Sequence, residues 1–128
     1  MSTQVPTDYF YTKDHEWVKI EGSVLTVGIT DFAQSSLGDI VFLELPEVGS
    51  DLEENAVFGV VESIKSVSDI YSPVKGKVSS INSGLLETPE KCNETPYEAW
   101  LVKIKVDKEF ENNLMNADEY SEFIQQSH

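Results

Sequence analysis

Apolar and polar residues alternate in short runs along most of this chain, and glycine, proline or polar clusters break the runs at close intervals. That pattern predicts several short β-strands with small helices at the periphery. Residues 15–20 read as a strand, Glu21, Gly22 and Ser23 as a turn, and residues 24–29 as the returning strand, with Leu25, Val27 and Ile29 on one face by the two-residue period. Residues 30–38 read as a single short helix. Thr30 or Asp31 is its N-cap, Gln34 stands three residues after Asp31 as in a capping box, and Gly38 stops it. Residues 40–45 are expected to form a buried strand ended by Pro46, and 47–55 a polar connection.

The stretch around which the pattern is organised is Glu62-Ser63-Ile64-Lys65-Ser66. Its flanks, 57–61 and 67–71, are rich in β-branched and aromatic residues and read as two strands of a hairpin, with Val61 in the core. The polar centre is the turn. A lysine there is held on a rigid support with its amine in water, which is how a chain presents one amine for covalent modification. The plain alternative is a solvated lysine on an ordinary hairpin.

Residues 74–81 read as a further strand. The strings Gly22-x-Val24-x-x-Val27 and Gly76-x-Val78-x-x-Ile81 echo one another and hint at two similar halves around the hairpin. Residues 82–97 are expected to be a loop, and 100–106 a strand with Val102, Ile104 and Val106 on its buried face. A short helix is expected within 107–115. A C-terminal helix over 117–127 follows, capped by Asn116, with Tyr120, Phe123 and Ile124 at helical spacing. Residues 1–11 form an extended lead-in pinned by Tyr9, Phe10 and Tyr11. The 128 residues fit one domain, mainly β, of the sandwich or barrel type.

Charge narrows the functions. There are 23 acidic residues and 9 basic ones, all of the latter lysine, for a net charge of −14. This argues against nucleic acid, which requires a basic footprint, and against anionic membrane surfaces. It suits a protein that visits partners with basic docking surfaces, though the same acids also serve solubility. A single cysteine, Cys92, leaves no internal disulfide. No apolar run is long enough for a membrane span, and the first residues resemble neither a secretory nor a transit peptide.

Ordinary enzyme chemistry finds little support. Phosphate-cradling glycine loops and a Gly-x-Ser-x-Gly elbow are absent. His15 and His128 stand at opposite ends of the chain, and Cys92 has no Cys-x-x-Cys partner, so neither a zinc site nor a cysteine nucleophile is expected. His15 beside Glu16 reads as strand-surface polarity.

The segments YTKDHEWVKIEG, VGITDFAQSSLGDIVFLELPEVGS, FGVVESIKSVSDIYSPVKGKV and, less closely, NETPYEAWLVKIKV span nearly the whole chain. Together they resemble the H proteins of the glycine cleavage system. The resemblance implies a barrel-sandwich hybrid of two small antiparallel sheets, as in lipoyl and biotinyl domains, with short peripheral helices and a C-terminal helix. Glu62, Ser63, Ile64 and Ser66 correspond to the lipoylation turn, and Lys65 to the lysine that carries lipoate. The protein is then a single lipoyl-carrier domain over 1–128, with no catalytic site of its own. It shuttles the aminomethyl group of glycine from glycine decarboxylase to the aminomethyltransferase, and electrons to dihydrolipoamide dehydrogenase. A lipoyl-attaching enzyme is a further implied partner, and a monomer is expected. The compartment is the bacterial cytoplasm, or the mitochondrial matrix if a transit peptide has been removed.

In the family the loaded arm folds back onto the body. Glu16 and Asp69 match acidic positions near that cleft, where a carboxylate could hold the aminomethyl ammonium. The alternative for both is a solvated acid on a strand surface. Trp17 and Trp100 read as core packing. Two departures stand out: Ala99 replaces the glycine usual before the tryptophan at position 100, with a loop after Tyr97 one residue shorter, and Ser66 replaces a frequent alanine. Rival readings are an H-like relay that donates lipoate to other enzymes, a biotin carrier, whose motif sets methionine on both sides of the lysine, and an unmodified β domain that only binds proteins.

Overall fold

The computed structural model describes residues 3–107 and 114–126. Nine strands and three α-helices are assigned among them: β1 (Phe10–Tyr11), β2 (Glu16–Glu21), β3 (Val24–Ile29), α1 (Asp31–Leu37), β4 (Ile40–Glu44), β5 (Asp51–Leu52), β6 (Val57–Ser63), β7 (Val67–Tyr71), β8 (Gly76–Ile81), α2 (Lys91–Glu94), β9 (Val102–Lys105) and α3 (Ala117–Gln126). They form two antiparallel sheets, one of six strands in the order β1-β2-β3-β9-β8-β5 and one of three in the order β4-β6-β7. The fold is the expected barrel-sandwich hybrid.

Burial of short alternating strands requires a second layer, and each sheet supplies it for the other. Val18, Leu25, Val27 and Ile29 of the larger sheet meet Leu43, Phe58, Val61 and Ile70 of the smaller in one core. Val102, Ile104 and Val106 are buried as their alternation predicts. The echoed strings have a structural counterpart. β3 and β8 flank β9 on its two sides, and Val27 and Ile81 both stand opposite Val102.

The ends of the chain build a second cluster. Tyr11, Trp17, Ala117, Tyr120 and Ile124 are buried in it, with Tyr9, Phe32, Tyr97, Trp100 and Phe123 packed around them. Tyr11 stacks on Tyr120 at 4.6 Å, and its backbone bridges Met115. α3 begins with a reciprocal cap: Glu119 N–H donates to Asn116 Oδ1 at 2.9 Å, and Asn116 N–H to Glu119 Oε1 at 3.0 Å. Residue 127, expected at its end, lies outside the described residues, as do 108–113, the body of the helix expected within 107–115.

Several expectations are corrected. The strand 40–45 is not uniformly buried, because a register shift between Ile40 and Phe42 turns Val41 and Phe42 outward. The polar connection 47–55 contains β5, paired to β8 through Asp51 and Leu52. The loop 82–97 holds a 3₁₀ turn at Ser83–Leu86 and α2. β3 is covered on both faces: besides Leu25, Val27 and Ile29, Thr26 and Gly28 are buried. Gly28 lies under the Trp17 indole, where a Cβ would come within 2.5 Å of the ring. Gly28→Ala should therefore cost about 1–3 kcal/mol by overpacking, read as a lower urea midpoint with an unchanged slope.

Candidate functional site

The hairpin β6–β7 runs in register from Gly59 opposite Ile70 to Glu62 opposite Val67. Glu62 and Ser63 are the last residues of β6, so the turn itself is shorter than the five-residue reading and comprises Ile64, Lys65 and Ser66. Ser63 holds it. Its N–H donates to the Ser66 carbonyl at 2.8 Å, and its Oγ accepts from Lys65 N–H at 3.2 Å and Ser66 N–H at 3.1 Å. Serine is suited to this because a short hydroxyl side chain competes well for local backbone donors. A third tie comes from outside the hairpin, where Ile64 N–H donates to the Asp39 carbonyl at 3.0 Å. Ile64, Lys65, Ser66 and Val67 are exposed around this fixed backbone.

The lysine stem lies against the end of α1. Lys65 Cε is 3.3 Å from where a Cβ on Gly38 would sit, and Gly38 has φ +80° as the C-terminal cap of the helix. Thr30 rather than Asp31 is the N-cap, accepting from Ala33 N–H at 3.1 Å. Gln34 bonds the Asp31 carboxylate instead of closing a capping box on Thr30, whose own N–H is already taken by the His15 carbonyl.

Directly beside α1 is a cleft of about 300 Å³. Phe32, Ala33, Ser36 and Leu37 form one wall, and Val61, Ser68, Asp69, Ile70 and Tyr71 another. Ile29 contributes to its apolar lining, and the polar end carries Lys13, Asp14, His15 and Glu16. Glu16 and Asp69 thus share one cleft. Their environments differ: Asp69 is exposed, whereas Glu16 is only 2% exposed, which overturns the solvated reading for Glu16. Glu16 Oε2 accepts from Tyr71 N–H at 2.8 Å, and Oε1 from the Thr12 hydroxyl at 3.2 Å. Burial pushes its pKa up from the ordinary 4.5 to about 8; the Tyr71 and Thr12 hydrogen bonds partly oppose this, and Asp14 adds to it.

His15 is not strand-surface polarity. It precedes β2 in a left-handed conformation, φ +64°, with its ring 4.6 Å from Phe32 and Nδ1 2.8 Å from the Tyr120 hydroxyl. Burial holds its pKa below the usual histidine value, against the pull of Asp14. A polar residue between aromatics separated by many positions carries no local signature, so His15 and Tyr120 were not legible as neighbours. Trp17 is buried and donates from Nε1 to the Pro96 carbonyl at 2.9 Å; Trp100 is half-buried under Lys103. Cys92 is fully buried, with its thiol pushed up to about 12, which leaves it unreactive. Among the described residues no cluster of ligating side chains suits a metal, and no helix is long and apolar enough to cross a membrane.

The family model for the glycine cleavage H-protein matches residues 9–127. The chain belongs to that family. It is 53% identical over 122 residues to the glycine cleavage system H protein of Staphylococcus carnosus, covering 94% of this chain and 97% of the relative. With the protein of that name from Rubrobacter xylanophilus it shares 49% over 124 residues, or 96% and 97% of the two chains. The crystal structure of the H protein from Mycobacterium marinum superposes with a TM-score of 0.85 at 35% identity, covering 96% of this chain and 98% of that one. Family membership supports a lipoate-carrier role within the glycine cleavage system and contact with its other components.

Two outcomes follow from this geometry. Between about pH 5 and pH 8 the unfolded chain has lost the Glu16 proton while the native protein keeps it, so stability falls as pH rises, by up to about 1.4 kcal/mol per pH unit. Urea unfolding across that range should show this decline in the parent and a flatter profile in Glu16→Gln. Ser63→Ala should cost about 1 kcal/mol and quicken amide hydrogen exchange at Lys65 and Ser66, with the rest of β6 and β7 unaffected.

Proposed function

We propose that Lys65 carries lipoate in amide linkage and that the protein is the mobile carrier of glycine cleavage. In this reading it takes the aminomethyl group of glycine from glycine decarboxylase to the aminomethyltransferase and passes electrons to dihydrolipoamide dehydrogenase. The supporting observation is an exposed lysine on a turn locked by Ser63, with its stem on Gly38 beside an apolar cleft that ends in carboxylic acids. That cleft fits the group: Ile29, Phe32, Leu37, Val61 and Ile70 suit a soft alkyl arm, and Glu16 and Asp69 suit a cationic cargo. When attached, the lipoyl group supplies a disulfide–dithiol couple able to take up a one-carbon amine and two electrons.

The chain's own residues hold, present and shelter. Glu62, Ser63, Ile64 and Ser66 fix the turn and leave the Lys65 amine open to a lipoyl-attaching enzyme. Near neutral pH Glu16 is predominantly protonated while the cleft is without a cation. An ammonium arriving beside it favours the carboxylate, so the site gains a charge-assisted hydrogen bond only when cargo is present. Asp69 meets the same cargo from the exposed side. Bond-making and bond-breaking belong to the partner enzymes; this protein is not itself an enzyme. Its −14 charge steers encounter with basic docking surfaces and suits neither nucleic acid nor anionic membranes. We take it to act as a monomer in the bacterial cytoplasm. The relatives named above are bacterial, and none speaks for the mitochondrial matrix. They also carry the glycine cleavage name, which favours this role over a lipoate relay.

Lys65→Arg keeps the charge but not the acylatable amine. The expected result is loss of the lipoyl adduct in intact mass, with stability within about 0.5 kcal/mol of the parent. Peptide mapping of the parent should place the adduct on Lys65; an adduct on another lysine would refute the assignment.

A further inference from the structure

The cleft is bounded by two pieces of chain that one buried hydroxyl joins. On one side is His15, whose left-handed backbone histidine adopts more readily than most residues but still at some cost in strain. On the other is α1, which contributes Phe32, Ala33, Ser36 and Leu37 and starts at Thr30. The Tyr120 hydroxyl is 2.8 Å from His15 Nδ1 and 2.8 Å from Thr30 Oγ1. A phenol can donate one hydrogen bond and accept another, so it serves both partners at once. The backbone repeats the link, with Thr30 N–H donating to the His15 carbonyl at 3.0 Å.

Tyr120 is fully buried and is not part of the cleft lining. Its ring is fixed by Tyr11 at 4.6 Å, and its helix by the Asn116–Glu119 cap. The C-terminal helix therefore reaches the cleft through one side chain anchored elsewhere.

We propose that Tyr120 is a positioning residue for the cargo: acting through His15 and Thr30, it sets the spacing of the cleft walls and so limits water's access to the loaded arm. The proposal rests on the reading of this cleft as the shelter of the Lys65 arm. Without the hydroxyl, His15 is free to relax from its strained backbone and the start of α1 loses a tie. The fold keeps its ring packing.

The experiment uses Tyr120→Phe in the full-length lipoylated protein, loaded with the aminomethyl group through reduced lipoate, formaldehyde and ammonium. Ammonia release is then followed without partner enzymes. Water supplies the oxygen of the formaldehyde released, and no electrons are exchanged. Lipoylation of the variant is expected at the parent rate, and ammonia release about fivefold faster, the factor that one ordinary hydrogen bond represents. In the unlipoylated variant, the His15 ring nitrogen resonances should move and the Ala33 amide should exchange faster. Val78→Ala, which opens the main core away from the cleft, is the control, with release rates compared at an equal margin below each protein's melting temperature. Unchanged release in Tyr120→Phe with a shifted His15 signal would overturn the proposal, as would equal acceleration in Val78→Ala. Should Tyr120→Phe not fold, His15→Asn retains a residue tolerant of the left-handed backbone and removes the ring. Its release must also quicken, and parent-like release overturns the proposal. Parent protein that loses ammonia as fast as the adduct of free dihydrolipoamide would instead refute the sheltering cleft itself.

Discussion

The carboxyl group of Glu16 ties the two sheets of this protein together where the cleft requires it. Glu16 begins β2 of the larger sheet, and it accepts the Tyr71 N–H at the end of β7, an edge strand of the smaller one. An edge strand ending inside the molecule needs a partner for its last donors, and a buried carboxyl needs donors to offset its loss of water. Each meets the other's need. Burial keeps the group protonated near neutral pH, which spares the fold an unpaired buried charge. The same group lines the cleft beside α1 and a neighbouring hollow of about 390 Å³ that also contains Lys13, Asp14 and Glu54. A structural tie and a cleft-lining group are thus one side chain, and changes to it act on both.

The rest of the molecule separates presentation from stability. The Lys65 turn is held by hydrogen bonds between its backbone and Ser63 and by the Ile64 N–H donated to the Asp39 carbonyl, and it contributes no buried side chain. Modification at its tip need not disturb the core beneath, where Val61 and Ile70 are each 2% exposed. The aromatic cluster at the chain ends is a second, independent body of packing. It covers the open side of the larger sheet's first strands and brings α3 against His15. A small β domain with a short core gains from such a brace, because surface buried by terminal segments adds to stability without lengthening the strands.

Much of this was legible in the sequence, for reasons that are local. Alternation places Val102, Ile104 and Val106 inward whatever the strand pairs with, since successive side chains point to opposite faces. The Thr30 cap, the Gly38 stop and the Asn116 cap depend on residues within one helical turn. The lysine at the hairpin tip and the family strings around it were likewise visible in order along the chain. What failed locally failed for a tertiary reason. Phe42 is apolar and lies in a strand, yet a bulge turns it outward; Gly28 alternates onto the wrong face, yet Trp17 covers it.

The sequence by itself therefore determined most of the longer strands, the inward face of strands such as β9, and the place of Lys65 at a hairpin tip, because each follows from neighbours a few residues apart. Only the tertiary structure decided that Glu16 is buried and protonated while Asp69 is exposed, although both are acids at strand positions. It alone decided that His15 meets Tyr120, 105 residues away. Burial, and with it the pKa of a carboxyl or an imidazole, depends on what the opposing sheet and the returning C-terminal helix lay over the residue, and no short window of sequence contains both sides of such a contact.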